Sequence, residues 1–267
     1  MRLIRIPTPA LRPFVRLLWA CEETAVQAER EHVLPTGRTH VVFRLSDHPL
    51  RLFAGADDDR GRTFELAVVG GARSTYYVRD VSRPLHSVGA ELQPGAAHAL
   101  LGAPAGELAE AHTSLGDLWG RSAVEARERL LEAGDAERRL DLFEAFLSAR
   151  LPAVRGLHPA VAHALGRFAI DAEVGEVVAE TGYSHRRFIG LFHETVGLTP
   201  KRYCRVLRFQ RMLERMTAET SWVDLALSAG YSDQPHFNRE FLEFTGVSPG
   251  RYRRAAPAGS HHVPIRP

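Results

Sequence analysis

Lysine is nearly missing from this chain of 267 residues: Lys201 is the sole one among 34 basic residues, and arginine supplies the rest. With abundant Ala and Gly, that bias points to a GC-rich genome and to no mechanism. Cysteine is as scarce. Cys21 and Cys204 stand far apart, so neither a disulfide framework nor a four-thiolate zinc site can be assembled, and both read as small buried hydrophobes. The net charge is only +2, so any basic footprint must be local. No apolar run approaches the length that spans a bilayer, and the first residues lack a charged-then-apolar leader pattern. A cytosolic protein with no membrane partner is therefore expected. Nor is there a nucleophile–base pair, a phosphate-cradling loop or a metal-ligand spacing. The expectation is no enzyme, no cofactor and no metal.

What the chain has is one helical pattern written twice, between Val174 and Arg254. Glu176-Val177-Val178 and Gly182-Tyr183-Ser184 answer to Asp224-Leu225-Ala226 and Gly230-Tyr231-Ser232, a shift of 48. Phe188, Phe192, Gly197, Pro200 and Tyr203 answer to Phe237, Phe241, Gly246, Pro249 and Tyr252, a shift of 49. The second copy thus gains one residue just after its Gly-Tyr-Ser. Each copy predicts helix, tight turn, helix. Val174, Val177 and Val178 share a face, Gly182 supplies the positive φ that ends the helix, and Ser184 caps the next. Phe188, Phe192 and Val196 then point into a core, leaving His185, Arg186, Ile189, Gly190 and His193 outside. Such a unit is the geometry by which a recognition helix enters a major groove.

Each copy closes on Gly-hydrophobic-Ser/Thr-Pro. The run from Gly230-Tyr231-Ser232-Asp233-Gln234-Pro235-His236-Phe237 to Gly246-Val247-Ser248-Pro249-Gly250-Arg251-Tyr252-Arg253 resembles the C-terminal signature of the AraC/XylS family. The resemblance covers about the last hundred residues and leaves the first 150 unmatched. It implies a bacterial transcription regulator whose two helix-turn-helix units, joined by a long helix, read adjacent major-groove segments, with double-stranded DNA and RNA polymerase as partners. It also implies a cupin-like effector barrel near the N-terminus and dimerisation through helices beside it. With two cysteines, the chain departs from the alkyl-transfer DNA-repair members, whose metal site needs four thiolates.

Base reading is expected from His185, Arg186 and Ile189 in the first unit and from Gln234, Asn238 and Arg239 in the second. Gly190 stands where the family commonly has a long polar side chain. Phosphate contact falls to Ser184, Arg202, His236, Arg251 and Arg253, which would fix register without reading bases. The helix from Lys201 to Met216, roughly 24 Å at about 1.5 Å per residue, carries Arg202, Arg205, Arg208, Arg211 and Arg215 opposite its apolar side. On an exposed helix such arginines are usually solvated, some of them paired with Glu214 or other local acids.

The fold class expected is α+β. From Leu11 to Leu92 the period is near two, in short runs at 14–19, 40–45, 50–53, 64–69, 74–78 and 85–90, which argues for a sandwich or small barrel. Residues 1–120 form a β-rich regulatory domain in this reading. Arg38, His40, Arg73 and Tyr76 are its candidate pocket for a small effector, with arginine to grip an acidic one, although packing or solvent-facing roles fit these residues as well. Short helices are expected at 94–101 and 104–108, an irregular apolar plug with Trp119 as a core anchor at 115–119, and a helical pair at 121–150. The pair, with stripes Val124-Leu130-Leu131 and Leu140-Phe143-Leu147, would pack back on the barrel or pair with a second copy. Residues 151–157 read as a linker, 158–255 as the DNA-binding domain opened by a scaffold helix from Pro159 to Phe168, and 256–267 as a flexible tail. A β-rich part that only dimerises or binds a partner protein is the alternative to one that senses an effector.

Overall fold

Alternating burial along short runs produces two antiparallel sheets in the computed structural model, which describes residues 2–23, 28–55, 58–151, 156–217, 220–255 and 261–265. The strands are β1 (Arg2–Arg5), β2 (Val15–Glu23), β3 (Arg30–Val33), β4 (His40–Arg44), β5 (Leu50–Phe53), β6 (Arg62–Phe64), β7 (Ala67–Gly70), β8 (Tyr77–Asp80), β9 (Leu85–Leu92), β10 (His112–Ser114) and β11 (His262–Ile265). One sheet runs β1-β2-β9-β4-β7-β10 and the other β11-β3-β8-β5-β6. Val41 and Phe43 of β4 point inward and are fully buried. Gly89 of β9 is required where Trp19 of β2 crosses it, since a Cβ there would lie 2.2 Å from the indole ring. The run expected at 64–69 is two strands, because the chain leaves one sheet at Glu65-Leu66 and enters the other.

Short helices α1 (Ala97–Leu101), α2 (Ala105–Leu108) and α3 (Leu115–Trp119) follow, then α4 (Arg121–Glu132) and α5 (Ala136–Ser148). The expected irregular plug is α3, which forms because the Ser114 Oγ accepts from the Gly116 N–H at 3.1 Å. Trp119 is half-buried; its indole N–H donates to the Leu100 carbonyl and Arg150 lies 3.9 Å over its ring. Leu140, Phe143 and Leu147 of α5 are buried against the first sheet, with Phe143 edge-on to Phe43 at 5.5 Å. The stripe expected for α4 is out of phase. Ala123, Ala126 and Leu130 face inward, whereas Val124 and Leu131 are 57% and 39% exposed. Small residues let α4 lie close, and Arg127 pins its rotation by donating to the Arg44 carbonyl at 2.8 Å.

The helical part comprises α6 (Pro159–Phe168), α7 (Val174–Thr181), α8 (His185–Val196), α9 (Pro200–Arg215), α10 (Trp222–Ser228), α11 (Gln234–Thr245) and α12 (Pro249–Ala255). Its core gathers Phe168, Phe188, Phe192, Phe209, Phe237, Phe241, Phe244 and Tyr252, and it continues into Leu34, Ala72 and Val263 of the β-rich part. Both thiols are half-buried rather than buried, and burial pushes Cys21 and Cys204 up to about 11.

The tail expected to be flexible contains β11. Val263 is 1% exposed, and His262 to Ile265 pair antiparallel with Val33 to Arg30. Pro264 is tolerated because β11 is an edge strand. Of the expected linker, residues 152–155 lie outside the described residues, as do 256–260 and 266–267 of the tail.

Candidate nucleic-acid interface

Both second helices of the duplicated unit are assembled by the same local chemistry. Gly182 (φ 72) ends α7 and Gly230 (φ 75) follows α10, each reversing the chain. The Ser184 Oγ then caps α8 by accepting from the Arg187 N–H, and the Asp233 carboxylate caps α11 by accepting from the His236 N–H at 2.6 Å. The residue gained in the second copy is thereby explained: the cap moves from the serine of Gly-Tyr-Ser to the aspartate after it. Under that alignment His185 matches Gln234, Ile189 matches Asn238, and Gly190 matches Arg239.

The outward faces are open. His185, Arg186, Arg187, Ile189 and Gly190 are exposed on α8, and so are Gln234, Asn238 and Arg239 on α11. A Cβ at Gly190 would meet nothing within 4 Å, so no packing among the described residues demands glycine there. Arg187 escaped the sequence reading although it follows Arg186; it is exposed and stands 5.5 Å from the Tyr183 ring.

The phosphate candidates divide. Ser184, Arg202 and Arg251 are exposed near helix N-termini, where unpaired N–H groups favour anions. His236 is half-buried, edge-on to Tyr231 at 5.4 Å, with Ser232 Oγ 3.3 Å from its Nδ1. Arg253 is engaged within the chain: its guanidinium covers Trp222 at 4.4 Å and donates to the Thr220 carbonyl.

The arginines of α9 are mostly struts. Arg205 donates to Glu240 at 2.9 Å and to Glu243 at 2.6 Å, Arg208 donates to Glu240 at 2.9 Å, and Arg211 pairs with Asp171; these, rather than Glu214, are their acids. Glu240, its side chain 4% exposed, also accepts from the Tyr231 hydroxyl at 2.7 Å. Burial pushes the Glu240 carboxyl up, but hydrogen bonds from Arg208, Tyr231 and Arg205 outweigh it and hold it below the usual carboxylate range. This keystone was readable in principle, since Glu240 shares the inward face of Phe237, Phe241 and Phe244 at helical spacing.

The four effector candidates are each engaged within the chain. Arg38 donates to Glu91 at 3.0 Å, His40 lies 2.9 Å from the Thr36 hydroxyl, and Tyr76 stacks on His32 at 4.4 Å. Arg73 donates to His112 Nδ1 at 3.0 Å and stands over Tyr77.

A profile described as a helix-turn-helix domain matches residues 177–255. Those residues are an AraC-type helix-turn-helix domain. A second profile, described as a domain of unknown function (DUF6597), matches residues 4–114. The chain is 35% identical over 82 residues to the putative HTH-type transcriptional regulator YkgA of Escherichia coli (strain K12), covering 30% of this chain and 34% of YkgA. It is 31% identical over 83 residues to the HTH-type transcriptional regulator MtrA of Neisseria gonorrhoeae, covering 30% of this chain and 27% of MtrA. The match spans about a third of the length of these relatives or less. Among solved structures, apo ToxT from Vibrio cholerae aligns with a TM-score of 0.49 at 10% identity, over 89% of this chain and 97% of ToxT. The unsaturated-fatty-acid-bound form of ToxT gives 0.48 at 10% identity, over 88% and 94%.

Proposed function

We propose that this chain is a sequence-specific DNA-binding transcriptional regulator whose AraC-type domain reads two neighbouring major-groove segments. The observation that carries this is the pair of capped helices, α8 and α11, presenting open polar faces from one frame built on α9. Purified full-length chain should enrich, from a random duplex library, one site composed of two boxes about one helical turn apart. No enrichment of any sequence would reject the proposal.

Side-chain roles separate in binding data. Arg239→Ala should cost about 1–3 kcal/mol and relax preference at one base pair, because a forked guanidinium reads a guanine edge. Equal weakening on every duplex would remove Arg239 from base reading. Arg202→Ala should weaken all duplexes alike and lower the salt slope by about one phosphate contact, and an unchanged slope would count against it.

For the β-rich part, the ligand-independent reading is supported by the engagement of Arg38 with Glu91, His40 with Thr36, Arg73 with His112 and Tyr76 with His32. Effector sensing finds its support elsewhere, in an open groove of about 340 Å³ lined by Arg62, Phe64, Glu65, His112, Ser114 and Asp117. Pairing with a second copy is supported by exposed Val124 and Leu131 on α4, and sedimentation of the full chain tests it. Contact with RNA polymerase follows from the regulator reading and is tested by transcription from a promoter bearing the selected site.

A further inference from the structure

The two recognition helices end on glycines at equivalent repeat positions, Gly197 (φ 93) and Gly246 (φ 70). Both glycines are where the β-rich part touches the reading units. A Cβ at Gly197 would stand 3.0 Å from the Ala105 carbonyl oxygen of α2, and one at Gly246 would meet Tyr76 at 2.5 Å and His32 at 2.6 Å. Beside the first contact, α2 lies along α8, with Gly106 against His193. Beside the second, the His32 ring bonds the Thr245 carbonyl, the last residue of α11, at 2.7 Å. Between them, the Gln210 amide of α9 donates to the Pro35 carbonyl at 2.6 Å and Gly37 lies against Val206.

The chain closes this arrangement with its own C-terminal strand. β11 adds to β3, the strand that carries His32, so the segment after α12 returns to the sheet that bears on α11. The Leu34 N–H donates to the His261 carbonyl at 2.9 Å, the His261 ring bonds Gln210, and Glu31 accepts from both Arg79 and His262. Val263 is buried in the same core as the recognition helices.

We infer that the β-rich part is a cross-brace, tied by β11, which fixes the distance and angle between the two recognition helices and so makes box spacing a specificity determinant. The inference rests on the DNA-reading proposal for its consequence, though not for its geometry. A single long helix resists bending poorly at its ends; a body bearing on both C-terminal glycines removes the remaining freedom. One inserted base pair moves the second box by about 3.4 Å and about 35°. A braced pair cannot follow that displacement, whereas an unbraced pair can.

The test uses the full chain, a chain ending at Ala255, and Val263→Asp, which keeps the length while opposing burial of β11. Duplexes selected by the full chain are compared with versions carrying one base pair more or fewer between the boxes. The full chain should lose about tenfold or more on the altered spacings, equivalent to about 1.4 kcal/mol, and both variants should lose less than about threefold. An unchanged spacing penalty in variants that still bind the selected duplex overturns the brace. Failure to select any duplex overturns the DNA reading instead. The geometry is tested without DNA by spin labels at Arg187→Cys and Leu242→Cys, in a background of Cys21→Ser and Cys204→Ser. One narrow label distance in the full-length chain, broadened in Val263→Asp, is expected. A distribution equally narrow in both, or already broad in the full-length chain, overturns the proposal.

Discussion

Glu240→Ala is expected to cost about 1–3 kcal/mol of stability, the range for leaving hydrogen-bonding groups without their acceptor. The carboxylate is the common acceptor for Arg205, Arg208 and Tyr231, so its loss strands the Arg208 guanidinium and the Tyr231 hydroxyl at the seam between α9 and α11, while Arg205 keeps Glu243. The desolvation already imposed on those donors is then uncompensated. Most of the effect is the penalty of leaving those two donors without an acceptor, not the net worth of the ion pairs. The distinguishing control follows: Glu240→Leu combined with Arg208→Met should recover most of the loss, because Arg205 keeps Glu243 and no charge at the seam is left unpaired. Urea unfolding midpoints at constant slope measure both. A loss below about 1 kcal/mol for Glu240→Ala would show the cluster to be water-screened at the surface. Binding should weaken in parallel, since α11 carries Gln234, Asn238 and Arg239 and is oriented through this seam.

Local signals were the ones written in the sequence. The paired Gly-Tyr-Ser motifs, the Phe188-Phe192 and Phe237-Phe241 steps and the caps fixed both reading units, because each depends on residues within about four positions of one another. Even the extra residue of the second copy was legible, although its meaning as a displaced cap needed Asp233 seen bonded to His236. What could not be read depends on partners far along the chain. β3 is Arg-Glu-His-Val, a weak strand by composition, and it is held between β8 and a strand 230 residues onward. The arginines of α9 looked like a solvated ladder because their acids lie on α11 and just past α6. The engagement of Arg253 with Trp222 was equally hidden, being a contact between helices at opposite ends of the second unit. The phase of α4 failed for a related reason: Ala123 and Ala126 carry little hydrophobic signal, yet close approach to a sheet selects them over Val124 and Leu131.

Acidification from pH 7 to pH 5 is expected to destabilise the chain by about 2 kcal/mol through His112 alone. His112 is 8% exposed, its Nδ1 accepts from Arg73, and the ring is edge-on to Tyr77 at 4.8 Å. Burial first, and the nearby Arg73 charge second, lower its pKa to about 3. The unfolded chain, by contrast, takes up this proton near the ordinary histidine value of about 6.5. The folded-state value is depressed and the neutral form is the native one, so stability is complete above about 6.5. It falls by about 1.4 kcal/mol per unit as pH drops toward 3. His261, lowered to about 4 by burial, and His32 and His40, also lowered by burial, add in the same direction. Glu31, held near 2 against its burial by Arg79 and His262, changes stability only below about 4.5 and so stays outside this window. Urea midpoints at pH 7, 6 and 5 measure the slope, and His112→Gln, which keeps an acceptor for Arg73 but cannot titrate, should flatten it. An imidazole resonance of His112 titrating near 6.5 in the folded chain, or an unaltered slope in His112→Gln, would place the acid sensitivity elsewhere.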